Sequence, residues 1–245
     1  MADSRSVFLT AEWRHLAMLN FEVDPALVRP LVPAGTELDD YRGRTFVSLV
    51  GFMFLNTRVL GIAMPRHRDF EEVNLRFYVR RRAGDGWRRA VVFVKELVPR
   101  AAIAMAARVF YGENYLAVPM SHRIAVAGEG AGAVRHVSYR WRFEGYENAI
   151  RVTVRGEASE IVAGSQEEFI TEHYWGYTRR RRGGTLEYQV EHPRWRAWTA
   201  VDPRLEGDCT RLYGARFAHY LNGPAASAFL ADGSAVSVFK GVRLP

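Results

Sequence analysis

Few side chains in this sequence could do chemistry, and an acidic pair comes first. Glu71 and Glu72 follow Phe70 and open a segment, residues 74–80, that alternates polar with apolar. Neighbours on a strand point to opposite faces, so one acid should face inward and the other should meet solvent. Glu72 on the inner face would be desolvated, with a raised pKa, and suited to general acid or base work. The structural alternative is an ion pair with Arg76 or Arg108. Lys95 is one of only two lysines, the other being Lys240. It ends an apolar run and precedes Glu96. Desolvated, it would be a Schiff-base nucleophile; otherwise its head reaches water beside Glu96.

A third group is aromatic. Glu172, His173, Tyr174, Trp175, Gly176 and Tyr177 are consecutive, and Tyr188, His192, Pro193 and Trp195 follow. Such density lines either a core or a concave pocket with a few placed polar groups. His173 and Tyr177 are four apart and would share a face on a helical turn, as proton transfer needs. The seven histidines, His15, His67, His122, His136, His173, His192 and His219, show no metal-ligand spacing. Glycine-rich phosphate loops, paired cysteines, a zinc-protease helix and a serine elbow are all missing from the sequence. Neither a metal nor a cofactor is expected.

These residues must be positioned by strands. Residues 45–55 form a long apolar run rich in β-formers. Residues 74–80 and 89–95 read as a hairpin turning at 84–86. Residues 136–143 and 149–155 alternate around a turn at Gly145, and residues 185–192 and 235–239 add two more strands. Residues 126–134 read as a Gly/Ala loop. Asp24 before Pro25 starts a short helix that Pro30 limits. Pro99 opens an Ala-rich helix over 99–110. Ser165, with Glu168 three residues on, caps a helix to about Tyr174. Many strands with few helices predict an α+β, mostly β, antiparallel barrel-like fold with short helices at its rim.

Composition narrows the partners. The chain has 245 residues and a formal charge of +7, enough for a single domain over 1–245 with a large core. The excess charge is nearly all arginine and is spread along the chain. The dense run at residues 179–182 precedes Gly183-Gly184 and reads as a solvated loop. Neither nucleic acid nor a membrane is expected as partner. A lone cysteine, Cys209, cannot form an internal disulfide, which fits a cytoplasmic setting.

Several blocks are similar to the DUF2071 (YqjF-like) family. They are residues 13–25, 41–52, 70–79, 96–100 with 107–115, 172–177, 190–195 and 239–243. The resemblance spans nearly the whole chain and rests on the order of the blocks. It implies the acetoacetate-decarboxylase-like fold, a β-rich barrel around a small-molecule pocket. Members of that superfamily act on keto acids and related carbonyl compounds as decarboxylases, aldolases or dehydratases. The superfamily's acid after an aromatic corresponds to Glu72. Its imine-forming lysine follows Glu-Leu and a proline, and the matching frame here, Glu96-Leu97-Val98-Pro99, is followed by Arg100. An arginine stays protonated and cannot form an imine, but it can clamp a carboxylate.

Two functions remain open. In the first, a small-molecule enzyme performs lyase-like proton transfer on a carbonyl or keto-acid-type substrate, without an imine. Glu72 is its acid or base, aided by His173 or Tyr177, with Lys95 held as a candidate nucleophile. Arg76 or Arg100 anchors the substrate, and Tyr174 and Trp175 line its pocket. In the second, the same pocket binds a ligand without turnover, as a carrier or sensor. Association into a homo-oligomer is left open.

Overall fold

A computed structural model describes residues 6–63, 68–101, 112, 114–180 and 183–244. Seventeen strands lie among them. The first six are β1 (Val7–Val23), β2 (Glu37–Leu38), β3 (Thr45–Val59), β4 (Ile62–Ala63), β5 (Phe70–Ala83) and β6 (Gly86–Val98). Next come β7 (Tyr115–Ala117), β8 (Met120–Ala127), β9 (Val134–Phe143), β10 (Tyr146–Arg155) and β11 (Ser159–Glu160). The last are β12 (Trp175–Arg179), β13 (Thr185–Glu191), β14 (Arg196–Thr199), β15 (Arg204–Glu206), β16 (Ser227–Phe239) and β17 (Val242–Arg243). The described helices are α1 (Pro25–Val28), α2 (Gln166–Thr171), α3 (Cys209–Tyr213) and α4 (Ala215–Leu221).

Local chemistry explains the helix starts. Asp24 accepts from the Ala26 amide at the head of α1, and Pro25 fills its first turn. Ser165 accepts from the Glu168 amide and caps α2. The helix expected over 99–110 lies almost wholly outside the described residues, as do Arg181 and Arg182 of the arginine run. Both expected hairpins form, β5 with β6 and β9 with β10.

The main sheet curls back on itself. Its pairing runs β16-β1-β3-β5-β6-β12-β13, and β13 then pairs β16 again. The result is a barrel-like ring, antiparallel except where β6 meets β7 and β12 in parallel. Side chains alternate between its two faces. The inner face carries Met18, Phe46, Val50, Phe52, Phe70, Tyr78 and Trp195, which pack with Phe169 and Ile170 of α2 as one cluster. The outer face carries Leu19, Leu49, Val73, Leu75, Phe77 and Leu97. It is covered by a second sheet, ordered β15-β10-β9-β8, and by α3 and α4. Gly51 permits that approach, because a Cβ there would lie 2.5 Å from the Tyr139 ring.

Covering both faces corrects one expectation. Glu71 was to meet solvent opposite a buried Glu72. Instead Glu71 is 9% exposed and Glu72 2%. The second sheet lies over Glu71, with His122 Nδ1 3.5 Å from its carboxylate. Among the described residues no helix is long and apolar enough to cross a membrane.

Candidate active site

Register builds a polar row on the inner face. Asn20 pairs with Ser48 and Ser48 with Arg76; one row on, Val50 pairs with Asn74 and Asn74 with Glu96. Glu72 lies opposite Phe52. Strand alternation thus gathers Glu72, Asn74, Arg76, Tyr78 and Glu96 inside the ring with Asn20 and Ser48, beside the apolar inner cluster.

Glu72 is the centre of this set. Its Oε1 accepts from Asn74 Nδ2 at 3.0 Å, and its Oε2 accepts from the Tyr115 hydroxyl at 3.0 Å. Burial raises its pKa to about 7; the hydrogen bonds from Asn74 and Tyr115 and the charge of Arg76 only partly oppose this. Burial, with the charges of Glu72 and Glu96, pushes the Tyr115 phenol well above its ordinary value, so the phenol stays a donor. Tyr188 closes over the same space. It pairs with Gly176, where a Cβ would sit 2.2 Å from its ring.

Arg76 and His173 form a second set on this face. Arg76 Nη2 donates to the Ile170 carbonyl at 3.2 Å, while its buried Nε has no partner among the described residues. The His173 ring lies 4.7 Å from that of Tyr78 and 5.6 Å from that of Phe169. Both imidazole nitrogens are buried without a hydrogen-bond partner among the described residues. Burial, then the charges of Arg89 and Arg76, hold His173 well below its usual pKa; the nearby Ile170 carbonyl only slightly favours the charged form. The neutral imidazole is thus favoured, although the Asp39 carboxylate lies 4.0 Å from Nε2. His192, its pKa also lowered by burial, stacks on Trp195 at 4.3 Å and lies 4.9 Å from the Tyr174 ring. The Tyr174 phenol donates to Glu172 at 2.5 Å, and its pKa is pushed up to about 12, by burial first.

A hydrogen-bonded chain backs the site. Tyr78 donates to Ser48 at 2.5 Å, Ser48 to Asn20 at 2.6 Å, and Asn20 to Ser227 at 3.0 Å. Ser227 also accepts from Gln166 at 2.9 Å, which ties the row to the first turn of α2.

The structure separates the other expected residues from this set. Lys95 pairs with Leu75, whose side chain is in the outer layer, so Lys95 lies on the face opposite Glu72 and Glu96. Its ammonium donates to the Leu212 carbonyl at 2.5 Å, near the C-terminus of α3, and burial lowers its pKa. Tyr177 also faces outward. Helix α2, capped by Ser165, ends at Thr171 and strand β12 follows, so His173 and Tyr177 do not share a helical face. Tyr177 donates to Glu187 at 2.8 Å, and Glu187 pairs with Arg88 at 2.6 Å and Arg81 at 3.2 Å. Trp175 is on that outer face too, under Arg88 at 4.1 Å. Arg100 is exposed beyond the end of β6. Glu72 has no ion pair with Arg76 within 4.0 Å, and Arg108 lies outside the described residues.

Sequence reading missed Asn74, Tyr78, Ser48 and Asn20, and took Glu96 and Tyr115 only as neighbours or block members. The available signal was polar residues inside apolar strand runs, as with Ser48 within 45–55. Among the described residues no three His, Cys, Asp or Glu side chains converge as metal ligands.

The curled β-rich ring has the acetoacetate-decarboxylase-like fold. An acetoacetate decarboxylase-like enzyme from Sphingomonas wittichii RW1 superposes with a TM-score of 0.67 at 14% identity, covering 98% of this chain and 94% of that one. The enduracididine biosynthesis enzyme MppR, complexed with the condensation product of pyruvate and imidazole 4-carboxaldehyde, gives 0.69 at 14% identity, covering 97% and 90%. The chain belongs to the DUF2071 family, described as an uncharacterized conserved protein, whose pattern matches residues 10–235. YqjF of Bacillus subtilis (strain 168) is 28% identical over 184 residues, which is 74% of this chain and 72% of that protein.

Proposed function

We propose that the ring interior binds a small carboxylate-bearing carbonyl compound and that Glu72 transfers a proton to or from it. The observation that carries this reading is the Glu72 carboxyl, buried, hydrogen-bonded to Tyr115 and Asn74, with a pKa of about 7. A group titrating near neutrality can take and return a proton within one cycle. The Nε of Arg76, without a partner among the described residues, is a donor that a substrate carboxylate would satisfy. Tyr115 and neutral His173 supply the dipoles that an enolate oxygen needs. The reaction class is lyase-like: decarboxylation, dehydration, retro-aldol cleavage or enolisation.

An imine route is disfavoured. The chain has two lysines. Lys95 faces the outer layer, and Lys240 is exposed past the end of β16. The fold shared with MppR, a protein whose structures hold pyruvate, supports a 2-oxo acid as the first compound to try. The test is exchange of C3 protons of pyruvate and longer 2-oxo acids in deuterated buffer, read by NMR. Exchange by the native chain and none by Glu72→Gln supports the proposal. Ligand-induced thermal stabilisation with no exchange or product would favour a binding protein instead.

A further inference from the structure

The outer sheet carries a second feature, unrelated to Glu72. Arg123 of β8 pairs with Ser138 of β9, Ser138 with Arg151 of β10, and Arg151 with Arg204 of β15. The row thus crosses all four strands. His136 and Thr153, hydrogen-bonded at 2.9 Å, stand in the next row. Both rows face away from the core, because the alternating neighbours Ile124, Val137, Ile150 and Val152 pack inward. Together they floor an open groove of about 430 Å³, a size typical of small-molecule sites.

The charges in this row are unbalanced. Like charges directly opposite on neighbouring strands repel, and Arg151 faces Arg204. Each has an acidic partner that itself lines the groove: Arg151 meets Glu206 at 2.9 Å and Arg204 meets Asp202 at 3.0 Å, so Arg123 carries the uncompensated charge. Arg123 has neither an ion pair nor a hydrogen bond among the described residues, and the Ser138 side chain makes no hydrogen bond among them. Arg123 and Arg151 flank Ser138 at two strand spacings, roughly 10 Å between backbones. Guanidinium forks from both sides can close on one oxyanion above the serine hydroxyl.

We propose that this groove binds a multivalent phosphoryl oxyanion, a di- or polyphosphate group, through Arg123, Ser138 and Arg151. Nucleic acid fits less well, because no Phe, Tyr or Trp ring lines the groove to stack a base. The experiment is calorimetric titration of the full chain with inorganic pyrophosphate at about 0.15 M salt. It compares the native chain with Arg123→Ala and with Arg29→Ala, an exposed arginine outside the groove. The proposal expects saturable binding by the native chain, weakened about tenfold by Arg123→Ala and unchanged by Arg29→Ala. Absence of saturable binding, or equal weakening in the two variants, overturns it. Tighter, Arg123-dependent binding of a single-stranded oligonucleotide than of pyrophosphate overturns it in favour of a nucleic-acid surface.

Discussion

Glu72 and Lys95 stand on adjacent strands of one hairpin and face opposite sides of it. Glu72 points into the ring with Asn74 and Glu96, while Lys95 sits beside Leu75 in the outer layer and caps a helix end at Leu212. Acid and amine therefore cannot act on the same bound molecule. Lys95→Met keeps the stem and removes the ammonium. It should leave interior chemistry unchanged and lower stability by about 1 kcal/mol, the contribution of one such hydrogen bond. Borohydride trapping with 2-oxo acids, read by intact mass, checks the chemistry; a reduced adduct on Lys95 would contradict this arrangement.

Glu72 also makes stability depend on pH. Its pKa rises from the ordinary 4.5 to about 7 on folding. A raised acid favours folding fully below the unfolded pKa, and that contribution is lost as pH rises toward the folded pKa. Between pH 4.5 and 7 the native chain should lose on the order of 3 kcal/mol relative to a variant that cannot ionise. Denaturant unfolding of the native chain and Glu72→Gln at pH 5 and pH 8 measures this. The stability difference should move in favour of Glu72→Gln at pH 8; parallel behaviour would place the Glu72 carboxyl in contact with water.

Tyr115 donates to the ionised form of Glu72 and so holds its pKa down. Tyr115→Phe should raise that pKa further and shift the rising limb of any pH–rate profile upward. A role in packing alone would leave the limb where it is, so the profile separates the two.

Much of the strand framework could be read from periodicity, because each alternating run has one apolar face and a glycine-bearing turn at its end. The burial of Glu71 could not be read that way: alternation gives opposite faces but not that both faces are covered. The same limit hid the side on which Lys95 falls, since a bulge between Leu75 and Arg76 resets the alternation of β6. His173 and Tyr177 show a different failure. Four-residue spacing implies a shared face only while a helix continues, and α2 ends at Thr171. Tyr115 escaped notice because its contact with Glu72 joins residues far apart in sequence, through a three-residue strand.

The interior depends on Gly176. A Cβ there would meet the Tyr188 ring at 2.2 Å, so Gly176→Ala must displace that ring. The expected cost is roughly 1–3 kcal/mol, read as a lower denaturation midpoint. Gly176→Ala with Tyr188→Leu should recover part of it, which a purely backbone effect would not allow.

Proton transfer by Glu72 requires that its carboxyl change protonation near neutrality within the ring. Carboxyl carbon-13 NMR of glutamate-labelled protein, with Glu72→Gln to assign the resonance, follows that titration directly. The prediction is a midpoint of about 7. A midpoint at the ordinary value of 4.5 would mean a carboxylate fully ionised at neutrality, and would contradict the proton-transfer role.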